Sequence, residues 1–120
     1  MGLDMYLVKT ADEQKFEEVA YWRKANQIRG WFAEHLEGFE DNQRTEVSKQ
    51  ELAELVDLCK KVLKDHRYTK KLPPTSGFFF GSSDVDDYYF AKIEDTIGMV
   101  QRVIDETDWD TEKVYYDEWY

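Results

Sequence analysis

Ser48 and Glu51 stand three residues apart at the head of an apolar-periodic run, with Val47 and Leu52 flanking the pair. No other local signal in the chain leaves the backbone so little choice. The Ser48 hydroxyl is placed to accept from the third helical amide, Glu51 to reach back to the Ser48 amide, and Val47 to close a hydrophobic staple on Leu52. The spacing predicts a helix that runs to about His66, with Leu52, Leu55, Cys59, Val62 and Leu63 as its apolar stripe. Lys60, Lys61 and Lys64 fall late in it, where the helix dipole favours cations. Cys59 lies on the stripe, so it reads as an inert core thiol rather than a nucleophile.

Other segments fall into place around this helix. Residues 2–9 alternate, with Leu3, Met5 and Leu7 on one face and Asp4, Tyr6 and Val8 on the other, as in a half-buried strand. From about Asp12 the period lengthens. Tyr21, Ala25, Ile28, Phe32 and Leu36 recur at three or four residues and predict a first helix, with Gly30 inside it and Gly38 where a left-handed cap would sit. Pro73-Pro74 cannot continue a helix, and the glycine-bracketed run from Gly77 to Gly81 reads as a strand or hairpin arm. Ser83 or Asp84 is placed to cap a third helix whose stripe is Phe90, Ile93, Ile97, Val100 and Ile104. The aromatic, β-branched segment from Lys113 to Trp119 reads as a closing strand. The order β-α-α-β-α-β predicts a single α+β domain over residues 1–120, with about three helices packed on a small, mainly antiparallel sheet.

Charge restricts the partners. Residues 1–83 carry 13 bases and 14 acids, a net of −1, whereas residues 84–120 carry three bases and twelve acids, a net of −9. Such a field repels phosphate backbones and speeds encounter with a basic surface, so no direct nucleic-acid binding is expected of the chain, least of all by its C-terminal third. Asp84, Asp86, Asp87, Asp105, Asp108, Asp110, Asp117 and Glu118 are the candidate partner-binding acidic face. The competing reading of Asp84, Asp86 and Asp87 is helix capping. The nineteen aromatic residues (4 Trp, 8 Tyr and 7 Phe) exceed what one modest core needs, so some should reach the surface beside charge, as at an interface.

Catalytic templates are nearly empty. His35 and His66 have no nucleophile motif around them, and there is no phosphate-binding glycine loop. One cysteine and two histidines argue against a disulfide, a zinc knuckle or a protein metal cage, so no catalytic residue, metal or cofactor is expected. The apolar runs are too short for a membrane span, and Met1-Gly2-Leu3-Asp4 does not read as a secretion signal, which places the chain in a cytoplasm. The densest polar-aromatic stretch is on the predicted first helix. There Trp22, Asn26 and Arg29 would share a flank and, with Tyr21 and Arg23, form a candidate ligand-binding site able to stack a base and hold an anion. The competing reading is a core margin with Arg29 paired to a carboxylate.

Several stretches together resemble an uncharacterised family of small bacteriophage and prophage proteins. They are Met1-Gly2-Leu3-Asp4-Met5-Tyr6-Leu7, Glu18-Val19-Ala20-Tyr21-Trp22-Arg23-Lys24-Ala25-Asn26 with Ile28, Trp31 and Phe32, Leu58-Cys59-Lys60-Lys61-Val62-Leu63, and Gly77-Phe78-Phe79-Phe80-Gly81-Ser82 with Asp87-Tyr88-Tyr89. The family pattern has a histidine where Arg29 stands and Ser-Ser-Trp where this chain has Asp117-Glu118-Trp119. The resemblance implies a phage-type product acting in the host cytoplasm. The expected function is a non-enzymatic accessory protein that inhibits a host defence component, such as a CRISPR-type nuclease, by laying an acidic face over a basic nucleic-acid-binding surface. The alternative is sequestration of a small phosphorylated signal molecule by Tyr21, Trp22, Arg23, Asn26 and Arg29. A third reading is its hydrolysis through His35 or His66 with a metal at Asp84, Asp86 and Asp87. A homodimer is compatible with all three.

Overall fold

The computed structural model describes residues 2–75 and 84–120, which form a four-stranded antiparallel sheet and three α-helices. The strands are β1 (Asp4–Thr10), β2 (Glu17–Arg23), β3 (Thr45–Val47) and β4 (Lys113–Trp119), in the order β2-β1-β4-β3. The helices are α1 (Asn26–His35), α2 (Lys49–Lys64) and α3 (Asp87–Glu106), with a 3-10 helix at His66–Lys71 after α2. This is the α+β class that the element order predicts. The strand expected at residues 77–81 lies outside the described residues. Among those described, no helix is long and apolar enough to cross a membrane.

The first strand follows its alternation, with Leu3, Met5 and Leu7 fully buried. Residues 17–23 depart from expectation: they form β2 rather than the first half of a helix. Glu17-Glu18-Val19-Ala20-Tyr21-Trp22-Arg23 carries a period of two through its second half, with Ala20 and Trp22 buried and Tyr21 and Arg23 exposed. Aromatic and β-branched residues suit a pleated surface. Lys24, at φ 55°, turns the chain, and its amide donates to the Leu3 carbonyl (2.7 Å), so the 3.6-residue period begins only at Ala25. Helix α1 then buries Ile28, Trp31 and Phe32. Gly30 is there because Thr75 packs on it: a Cβ at that position would lie 2.6 Å from Thr75 Cγ2.

The capping box of α2 forms as the sequence specifies. The Glu51 amide donates to Ser48 Oγ (3.1 Å) and the Ser48 amide to Glu51 Oε1 (2.9 Å). The helix ends at Lys64, two residues short of the expected end, because Asp65 caps the following 3-10 turn by accepting from the Arg67 amide. Helix α3 is capped by Asp86 rather than Asp84, with Asp86 Oδ1 accepting from the Tyr89 amide (3.0 Å), and Ser83, the other expected cap, lies outside the described residues. Its most buried positions are Tyr89, Ile93, Thr96, Val100 and Val103, while Phe90, Ile97 and Ile104 are partly buried beside them.

The helices line one face of the sheet. Trp22 Nε1 donates to Thr96 Oγ1 (2.8 Å), Trp22 meets Phe32 edge-on, and Phe32 stacks on Tyr116 at 4.3 Å. The register places Met5 between Trp22 and Glu118, and Leu7 between Ala20 and Tyr116, so these side chains point inward together. The opposite face carries Asp4, Tyr6, Tyr21, Arg23, Tyr115, Asp117 and Trp119. Tyr21 and Trp119 are the large exposed aromatics there, the surface placement that the aromatic count requires.

Two measurements test this core. Ser48→Ala removes one capping bond, so the unfolding free energy should fall by about 1 kcal/mol with the native fold kept. Burial pushes the Cys59 thiol up to about 12 and, as the largest cause in each case, raises the Tyr89 and Tyr116 phenols. The folded protein therefore holds protons that the unfolded chain releases. Their stabilisation is complete below the ordinary thiol and phenol values and is lost as pH climbs through about 9 to 12, by up to about 1.4 kcal/mol per pH unit for each group. Denaturant midpoints that stay flat from about pH 8 to about pH 11 would contradict this burial.

Candidate functional site

The structure divides the five residues of the predicted ligand site between two elements. Tyr21, Trp22 and Arg23 belong to β2, whereas Asn26 and Arg29 belong to α1. Asn26 is a brace: its Oδ1 accepts from the Thr75 amide (3.0 Å), and its carbonyl from Thr75 Oγ1 (2.9 Å). Arg29 is also structural. Its Nε donates to Glu118 Oε1 (2.9 Å), and its Nη2 to Glu118 Oε2 (3.1 Å) and Asp41 Oδ1 (2.7 Å). The guanidinium lies over the Phe39 and Tyr120 rings at 5.2 and 5.4 Å. The reading of Trp22, Asn26 and Arg29 as one helix flank is therefore corrected.

Glu118 also leaves the acidic face to which the sequence assigned it. Its side chain is fully buried and accepts two further bonds, from Tyr116 Oη (2.7 Å) and the Asn42 amide (2.9 Å). Four donors satisfy both carboxylate oxygens, which a buried charge requires. Asp41 completes the cluster from the exposed side, its carboxyl held below the usual range by the Tyr120 hydroxyl and by Arg29.

The remaining acids do not converge. Asp84, Asp86 and Asp87 lie at the start of α3, and Asp105, Asp108 and Asp110 at or beyond its end. Twenty helical residues separate the two groups by about 30 Å. Asp117 is on the outer sheet face, 3.4 Å from Arg44. Among the described residues, no three His, Cys, Asp or Glu side chains are grouped to hold a metal. His35 stacks on Trp31 at 4.4 Å with Nδ1 near the Trp31 carbonyl (2.9 Å), and His66 stacks on Phe90 at 4.1 Å.

What the structure does assemble is a groove between β2 and α3. Among the described residues, strand β2 is an edge of the sheet, paired on one side only, by β1. Across the groove, α3 contributes Lys92, Asp95, Gly98, Met99 and Arg102, which with Tyr21, Trp22 and Arg23 enclose about 470 Å³. A second hollow of about 360 Å³ continues past Arg102 to Glu17, Glu18, Val19 and Glu106. Gly98 keeps the first hollow open, since a Cβ there would meet nothing within 4 Å. Charge varies along the groove. Arg23 and Lys92 lie at one end beside Glu94 and Asp95, and Glu17, Glu18 and Glu106 at the other beside Lys9, with Arg102 between them.

Sequence reasoning found Tyr21, Trp22 and Arg23 but missed Lys92, Gly98 and Arg102. Two signals pointed to them. Lys92 and Arg102 are two of only three bases in the acidic third, and Gly98 sits mid-helix, where glycine costs about 1 kcal/mol. Comparison with known proteins finds no matching family model, curated protein or solved structure.

The Arg29 cluster generates a prediction about the fold. Arg29→Ala strands the buried Glu118 carboxylate, so it should cost about 3–5 kcal/mol, as breaking a buried pair does. An unchanged melting temperature for Arg29→Ala would show that the pair contributes nothing.

Proposed function

We propose that this chain is a non-enzymatic binding protein that captures an extended segment of a partner protein along β2. The observation that carries the reading is the edge strand opening onto a groove that Gly98 keeps clear. An extended peptide adds to such an edge through main-chain hydrogen bonds, and alternate side chains select it through the groove wall. The fitting segment carries bases toward Glu17, Glu18 and Glu106, with an apolar side chain over Gly98 and Met99. The net charge of −10 favours encounter with a partner whose surface is basic. With the resemblance to small phage proteins, this describes an accessory protein that acts in the host cytoplasm and blocks a defence component such as a nuclease. The two acidic ends of α3 steer the encounter, and β2 makes the contact.

A small phosphorylated ligand in the same hollow is the second reading. About 470 Å³ lined by Arg23, Lys92 and Arg102 is within the usual size range for such sites. The acids Glu94 and Asp95 in the same lining oppose an anion and favour the peptide.

A benzophenone side chain replacing Glu106 should crosslink the partner segment, and a synthetic peptide of that segment should slow hydrogen exchange of the β2 amides. Gly98→Leu should fill the groove and abolish peptide binding while raising stability by roughly 1 kcal/mol, since it removes a mid-helix glycine. Function falling as stability rises separates a blocked groove from a damaged fold. Unchanged β2 exchange, or full peptide binding by Gly98→Leu, would overturn the proposal, and protection by a heat-released nucleotide would favour the small ligand.

A further inference from the structure

Residues 60–71 invert the charge of the molecule. Six bases, Lys60, Lys61, Lys64, Arg67, Lys70 and Lys71, stand there against one acid, Asp65, in a chain of net −10. All six bases are exposed. Lys61 reaches Asp57 (3.3 Å), and Arg67 is held by Asp65 through Nε (3.1 Å) and Nη2 (2.7 Å). Among the described residues, Lys60, Lys64, Lys70 and Lys71 have no carboxylate partner, although the chain has 26 acids. Favourable placement at a helix C-terminus accounts for a lysine or two in the last turn of α2. It does not account for the shape of the surface beside them.

Two hollows, of about 510 and 320 Å³, flank this segment and share Asp65, Arg67 and Tyr68. Lys61 and Lys64 line one, and Lys70 and Lys71 line the other. The Tyr68 ring stands between them, 37% exposed. An exposed aromatic ring with unpaired ammonium groups on both sides is the arrangement that holds a single strand, with phosphates on the lysines and a base on the ring. A duplex keeps its bases stacked away from such a ring, and an acidic peptide has no group that needs it.

We propose that this surface binds single-stranded nucleic acid, with Lys60, Lys64, Lys70 and Lys71 contacting phosphates and Tyr68 stacking a base. The site is separate from the β2–α3 groove and does not depend on it. It also lies outside the acidic C-terminal third, whose charge argues against phosphate contacts there.

Fluorescence anisotropy of the full chain with a labelled dodecathymidylate tests the proposal. Four phosphate contacts to a single strand give a log–log salt slope near −3, or roughly fifty-fold weaker binding on going from about 50 to about 200 mM salt. The triple variant Lys64→Glu, Lys70→Glu, Lys71→Glu should lose at least about tenfold in affinity with an unchanged circular dichroism spectrum, the three positions being exposed. Tyr68→Ala should weaken binding at least about fivefold, and Tyr68→Phe, which keeps the ring, should not. Absence of binding at low salt, polyglutamate binding as tight as the oligonucleotide, or an unaffected Tyr68→Ala would each overturn it. Gly98→Leu should bind the oligonucleotide normally, so failure here and failure of the groove reading are distinguishable.

Discussion

The Arg29–Glu118 pair ties the ends of the fold together. Glu118 belongs to β4, which lies in the sheet between β1 and β3, and Arg29 to α1, while Asp41 and Asn42 come from the connection between α1 and β3. A carboxylate this deeply buried is tolerated only with its oxygens fully bonded, so each of its four donors is held in place by the requirement. The pair also specifies register. Sliding β4 by one residue would turn Asp117 or Trp119 inward, take Glu118 to the outer face, and leave Arg29 without its bidentate partner. An apolar residue at position 118 would pack against Met5 but would not enforce that choice. Asn42, at φ 57°, lets its amide reach Glu118 while its side-chain oxygen accepts from the Tyr120 amide.

This explains what the sequence reveals and what it hides. The start of α2, the burial of Cys59, the alternation of β1 and the closing strand β4 are legible because each rests on residues a few positions apart. Residues 17–23 are ambiguous because Tyr21 stands four residues before Ala25, the start of a true helical period, and so extends that period by coincidence. Only the left-handed turn at Lys24, bonded to Leu3, separates the two. A buried guanidinium implies a partner, but nothing local says which of 26 acids it is, and Glu118 lies 89 residues away. The groove is hidden for the same reason, since tertiary bonds, from Trp22 to Thr96 and from Tyr88 to the Arg23 carbonyl, set β2 beside α3.

Arg29 and Glu118 come from opposite ends of the chain and meet in space as a bidentate pair. A change at one end alone would leave an unpaired buried charge, whereas a change at both would exchange one satisfied contact for another. On that account, the two residues concern how the strand is locked and say little about a ligand. Neither lines the β2–α3 groove.

Net charge is a poor guide to what each surface of this molecule meets. Its extents are 40 × 31 × 21 Å, several times the screening length of about 8 Å at physiological salt. Charges at opposite ends are therefore nearly invisible to one another. The acids at the two ends of α3, the alternating charges of the groove and the lysines of residues 60–71 act as separate local fields, and a chain of net −10 can present a positive face to a strand of nucleic acid. Residues 1–83, nearly neutral in total, conceal that face because bases and acids are counted together before the fold has separated them. Phosphate contacts are disfavoured only where acids remain clustered after folding, and that is not where the lysines are.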